Sequence, residues 1–132
     1  AAWPTGPAGF STPGTPGAIV RTEWNTPSIW LRRTFDLPAD LAAMLQAGEF
    51  INTPTLTLRL HHDEDVQVYL NGTLIHQAAG YQTGYIDIPL GPAALRLLKP
   101  TGNVLALHCT QTRGGQYLDA ALSLVIDPAP PR

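Results

Sequence analysis

Apolar and polar residues alternate along most of the chain. In TLTLRLHH, Leu56, Leu58 and Leu60 alternate with Thr55, Thr57 and Arg59, the period of two that turns one face of a β-strand to a core and the other to water. VQVYLNGTLIHQ contains two such runs joined by Asn71-Gly72. A two-residue connection that tolerates positive φ predicts a β-hairpin closed by a type I′ turn. In IWLRRTFDLP, Ile29, Leu31, Phe35 and Leu37 share one face, and Trp30, Arg32, Thr34 and Asp36 share the other. Arg33 breaks the alternation, either through a bulge that turns it outward or as a paired, half-buried cation. Further strands are predicted at YIDIPL, NVLALHCTQ and QYLDAALSLVI. The middle one is apolar on both faces and reads as a central strand covered on both sides.

Two segments have helical spacing. In ADLAAMLQAG, Asp40 is the predicted N-cap, Leu41, Met44 and Leu45 form one stripe, and Gly48 is the C-terminal stop. PAALRLLKPTG predicts a helical turn ended by Pro100 and Gly102. Residues 1–27 hold many of the Gly and Pro residues, with Trp3, Phe10, Ile19, Val20 and Trp24 at irregular spacing. So many large apolar groups predict an ordered loop, anchored by Phe10 and at least one tryptophan. Seven or eight strands with little helix predict an all-β, two-sheet sandwich over residues 1–126. DPAPPR, residues 127–132, reads as a proline-stiffened linker, so the chain is expected to be a module of a longer polypeptide.

Composition agrees with one folded domain: 132 residues, 44% hydrophobic and only 14% charged. A formal net charge of −2 provides no basic footprint for a phosphate backbone, which argues against a nucleic-acid partner. No apolar run approaches the roughly 20 residues that cross a bilayer, so no membrane helix is expected. AAWPTGPAGF lacks the charged head and apolar stretch of a signal peptide, and any secretion signal is expected outside this chain. The single cysteine, Cys109, lies in an apolar run and reads as a small buried hydrophobe.

The segments PAGFSTPG, TEWNTPSIWLRRTF, HHDEDVQVYLNGTLI, GYQTGY and GNVLALHCTQTRGGQYLDAAL together resemble the galactose-binding-like jelly-roll modules that accompany catalytic domains in bacterial glycoside hydrolases. Among these are the sugar-binding domains of family-two β-galactosidase relatives. The resemblance runs from about Trp3 to Ile126. It implies a jelly-roll β-sandwich that performs no catalysis, and whose end loops bind polysaccharide or oligosaccharide or pack on a catalytic domain of the same polypeptide. It also implies a secreted, cell-surface or periplasmic setting. Many members hold a structural calcium, and others have lost ligand binding and act as spacers.

Sugar recognition needs flat aromatic faces for the C–H surface of a pyranose and planar polar groups for its hydroxyls. Both occur in loop-like places, and the candidate contacts are Trp24, Tyr81, Tyr85, Arg113, Gln116 and Tyr117. The competing reading has each aromatic cap the core, and Trp30, beside a strand, is assigned to that role. In HHDED, His61, Asp63 and Asp65 would face one way on a continuous strand and suggest a transition-metal site, which lacks a further ligand at a defined spacing; calcium held by carboxylates and loop carbonyls is the better metal reading, with Asp63 and Asp65 as weak candidates. The alternative is an acidic turn whose Asp side chains cap a hairpin. Neighbouring carboxylates in one turn cannot straddle a glycosidic bond, and nothing marks Asp87 or Asp119 as a partner. No nucleophile-elbow serine or phosphate loop is present. His76 and His108 read as structural histidines, and Asp119 as an ion-pair partner for Arg113.

Overall fold

A computed structural model of the chain describes residues 3–48 and 52–126. The strands are β1 (Phe10–Ser11), β2 (Thr22–Glu23), β3 (Ser28–Phe35), β4 (Thr55–Asp63), β5 (Asp65–Leu70), β6 (Thr73–Ala78), β7 (Ile86–Leu90), β8 (Asn103–Thr110) and β9 (Tyr117–Val125), with helices α1 (Ala39–Ala47) and α2 (Pro92–Leu95). A five-stranded sheet has the order β2-β1-β9-β4-β7, and a four-stranded sheet the order β3-β8-β5-β6. All pairings are antiparallel except that of the short strands β1 and β2. The sequence predicts loop throughout residues 1–27. β1 and β2 escape that reading because two residues are too short for any periodicity.

The alternation in sequence becomes a two-layer core. Leu58 and Leu60 of β4 and Leu118 of β9 pack against Val66 and Val68 of β5 and Leu105, Leu107 and Cys109 of β8. These eight side chains, all below 9% exposure, supply the apolar burial that drives the two sheets together. At one end Leu56, Leu70 and Ala94 form a second cluster that α2 closes. Cys109 is fully buried, and desolvation pushes its thiol up to about 12.

The predicted hairpin is present: Asn71 has φ 49° and Gly72 φ 83°, and β5 and β6 pair with one register shift at Val68/Tyr69. Asn71 also fastens the turn to β8, donating to the Leu97 carbonyl at 2.7 Å and accepting from the Val104 amide at 2.8 Å. Gly48 ends α1 in the left-handed region, φ 68°. The helix begins earlier than expected: Pro38 is the N-cap, and Asp40 lies in the first turn, accepting from the Leu41 amide.

Three local readings need correction. Arg33 is not bulged out, since β3 and β8 stay in register from Ser28 to Phe35, and it is exposed, with no ion pair among the described residues. It sits on an edge strand, where an inward-facing cation can pass beyond the sandwich and keep its charge in water. β8 is central, but only one of its faces is fully covered, since Val104, Ala106 and His108 remain half-buried. His61, Asp63 and Asp65 do not share a strand, because the chain leaves the five-stranded sheet at Asp63 and enters the four-stranded one at Asp65. The linker expected at 127–132 lies outside the described residues.

Candidate functional site

The expected cluster of loop contacts does not form a rim. Trp24, Gln116 and Tyr117 are 4%, 1% and 1% exposed, and cannot present their faces to a ligand. They hold the N-terminal segment onto the five-stranded sheet. The Gln116 side-chain amide donates to the Trp24 carbonyl, and its backbone carbonyl accepts from Ser11 Oγ at 2.7 Å and Thr15 Oγ1 at 3.2 Å. Trp24 Nε1 donates to Thr26 Oγ1 at 3.0 Å. The Tyr117 ring lies 4.2 Å from the His61 ring. The physical reason is cover: residues 9–24 fold over the end of the five-stranded sheet, so the amide and aromatic groups of this region become its anchors.

That cover depends on a close approach at Gly17, whose φ is +75° and whose added Cβ would lie 2.2 Å from the Thr83 carbonyl oxygen. Gly17→Ala is therefore expected to cost about 2 kcal/mol or more, from backbone strain and collision together. Gly14→Ala, with φ +86° but open space around it, is expected to cost about 1 kcal/mol, from strain alone. Equal urea midpoints for the two variants would rule out the contact with Thr83.

Tyr81, Tyr85 and Arg113 are exposed, yet no ring contact or hydrogen bond joins Tyr81 to either of the others among the described residues. The Tyr85 hydroxyl donates to Asp119 and lies 3.1 Å from that of Tyr117. Burial of this end and the bond to Asp119 hold the phenol well above its ordinary value, so it stays protonated. Asp119 thus serves Tyr85 instead of Arg113, whose backbone amide donates to Glu64 at 3.3 Å. Asp87 forms an exposed ion pair with Arg59 at 2.9 Å. Asp65 Oδ1 accepts from the Gly80 amide at 2.7 Å. Among the described residues, no group of three or more His, Cys, Asp or Glu side chains is placed to share a metal ion.

Buried His61 and half-buried His76 are both held toward the neutral form. His61 is 0% exposed, its Nε2 donates to the Gln82 carbonyl at 3.2 Å, and its Nδ1 has no partner. His76 buries an unpartnered Nε2. Desolvation lowers both pKa values. Unfolding restores the ordinary value of about 6.5, so between the lowered and ordinary values the unfolded chain holds more protons and stability rises with pH. Burial raises the Asp63 pKa, and this acts in the opposite sense, in a window that opens near the ordinary aspartate value of about 4. The thermal midpoint is expected to be lower at pH 5.5 than at pH 7.5, with a smaller difference in His76→Leu; a flat profile would contradict the neutral assignment.

The outward face of the four-stranded sheet gathers the side chains that sequence reading did not assemble. Trp30 stands opposite His108, His108 opposite Gln67, and Gln67 opposite Gln77, one residue from each of β3, β8, β5 and β6. Trp30 is 50% exposed. It stacks on His108 with ring centroids 4.2 Å apart and planes 7° from parallel, and on Tyr69 at 6.1 Å and 30°. The Tyr69 hydroxyl donates to Gln67 Oε1 at 3.3 Å, which leaves the Gln67 NH₂ group free to donate outward. Beside this row a groove of about 600 Å³ is lined by Asp65, Gln67, Gln77, His108 and Thr110, among others. On its other side Trp30 borders a cleft of about 350 Å³ with Trp3, Trp24 and Asn25, where the Arg32 guanidinium lies 4.8 Å over the Trp3 ring.

The face offers erect aromatic surface, planar amides and few charges, a set suited to a polar ligand with apolar patches. Four members are legible by parity, since Trp30 alternates with Ile29 and Leu31, Gln67 and Tyr69 with Val66 and Val68, and His108 with Leu107 and Cys109, whereas Gln77 shares its parity with the core-packed Ile75 across the register shift between β5 and β6. Their adjacency is not, because it needs the strand order. Set against known proteins, the chain matches no family model and no curated protein sequence.

Proposed function

We propose that this chain is a non-catalytic carbohydrate-binding module of the galactose-binding-like jelly-roll type, which directs an attached extracellular glycoside hydrolase to polysaccharide. The reading rests on one observation: Trp30, His108 and Tyr69 stack into a half-open aromatic cluster, and His108 continues from it into a groove lined by the Gln67 and Gln77 side chains. Ring faces take up the C–H surface of a sugar, and amides pair its hydroxyls. The groove lining includes a single carboxylate, Asp65, whereas glycoside hydrolysis uses two that flank the bond. Even a weak site serves such a role, since a tether raises the effective concentration of the partner enzyme on its substrate. A structural calcium is no part of this proposal.

Affinity electrophoresis of the folded chain through gels containing plant and microbial polysaccharides tests the reading. Retardation by at least one polysaccharide is expected, and unchanged mobility in all of them would overturn it. The second reading is an interdomain module without glycan binding, favoured by the exposed Ile19, Tyr81 and Tyr85 on loops that the Gly17–Thr83 approach brings side by side, with exposed Ile86 at the start of β7. It predicts that Tyr81→Ser and Ile86→Ser weaken attachment to the neighbouring catalytic domain and leave gel mobility untouched.

A further inference from the structure

We infer that the groove on the four-stranded sheet takes an internal stretch of a neutral, linear glycan, about three sugar units long and running across the strands. This rests on the carbohydrate reading above and specifies its ligand.

Direction and length come from the register. Trp30, His108, Gln67 and Gln77 form one row perpendicular to the strands. Neighbouring strands lie about 4.8 Å apart, so the row spans roughly 14 Å, and a pyranose with its bridging oxygen advances about one strand spacing. The row therefore matches about three sugars: His108, Gln67 and Gln77 line the groove, and at the β3 end Trp30, whose inner face is stacked on His108, offers the ring face that His108 leaves open.

The ends of the row decide between a chain terminus and a chain interior. β3 and β6 are the two edge strands of this sheet, and their contributions, Trp30 and Gln77, are both exposed. Both ends open to solvent, so a longer chain continues past them, whereas a terminal sugar is held by a wall across one end. Along the strands the next row offers Arg32, Ala106 and Tyr69. Ala106, between Arg32 and Tyr69, brings no side-chain polar group to that row.

Charge decides the class of sugar. The groove lining holds one carboxylate and no Lys or Arg. The cation on the same face, Arg32, is drawn over the Trp3 ring. A uronic acid would meet Asp65 with nothing to neutralise it. Neutral hydroxyls find the free Gln67 and Gln77 amide groups and the Thr110 hydroxyl.

The test is isothermal titration of the whole chain with xylo-, cello- and manno-oligosaccharides of one to six units, and with polygalacturonate, repeated for Trp30→Ala and Gln77→Ala. In whichever neutral series binds, affinity is expected to climb about tenfold or more from one to three units and to level off beyond three or four. Polygalacturonate is expected to bind at least about tenfold more weakly. Gln77→Ala is expected to weaken the trisaccharide by about fivefold and the disaccharide by less than about twofold, with an unchanged thermal midpoint showing that the fold is intact. A monosaccharide as tight as the hexasaccharide, equal binding of polygalacturonate, or indifference to both substitutions would overturn this inference and leave carbohydrate binding standing. Silence from every oligosaccharide together with every gel polysaccharide would overturn both.

Discussion

Tyr117→Ala is expected to destabilise the protein by about 4 kcal/mol, a large share of what holds a domain of this size together. The ring is 1% exposed, lies 4.2 Å from that of His61, and carries a hydroxyl 3.1 Å from that of Tyr85. Truncation opens a cavity at the point where β9 meets the N-terminal cover, and strips contacts from a neutral histidine that already has an unpartnered nitrogen. Tyr117→Phe keeps the ring and loses the hydroxyl contact, with an expected cost of about 1 kcal/mol. Urea unfolding of the two variants measures both figures. An alanine variant as stable as the parent would show that Tyr117 does not anchor the cover.

Trp30→Ala has the opposite profile. Glycan affinity is expected to fall by at least about tenfold, roughly 1.4 kcal/mol, while stability changes by about 1 kcal/mol or less. The indole stands on an edge strand with half its surface open, so its removal leaves a notch filled by water, not a void in the core. Its loss also frees the His108 ring that it stacks against, and the platform loses its order as well as its area. Trp30→Phe restores part of the affinity, since a smaller ring still offers a face. Titration with the best-bound oligosaccharide, paired with a thermal melt, separates the two effects. Full affinity in a well-folded Trp30→Ala variant would exclude this face as the ligand surface.

These two residues also mark where sequence reading and tertiary structure part. QTRGGQY has the composition of a polar, glycine-rich connection, which predicts Tyr117 at the surface. Its ring is buried because the segment around Ser11 and Thr15, about a hundred positions earlier, returns to bind Gln116. A large aromatic beside a strand usually packs, which predicts a core role for Trp30. Its parity with Arg32 and Thr34, visible in the sequence, had already placed it on the outward face. Tyr81 and Arg113 were expected in the open and are exposed, but no contact unites them.

By itself the sequence determined the periodicities, and through them most strands, both helices, the Asn71-Gly72 turn, the Gly48 stop and the buried side of β4 and β5. Those features depend on residues a few positions apart, where alternation and φ preference act directly. Only the tertiary structure decided that β3, β8, β5 and β6 lie side by side, that Trp30, His108, Gln67 and Gln77 share one row, and that the N-terminal segment covers Tyr117. Such contacts join residues up to about a hundred positions apart. Their selection rests on closing a whole core, a free energy summed over both sheets that no local segment carries.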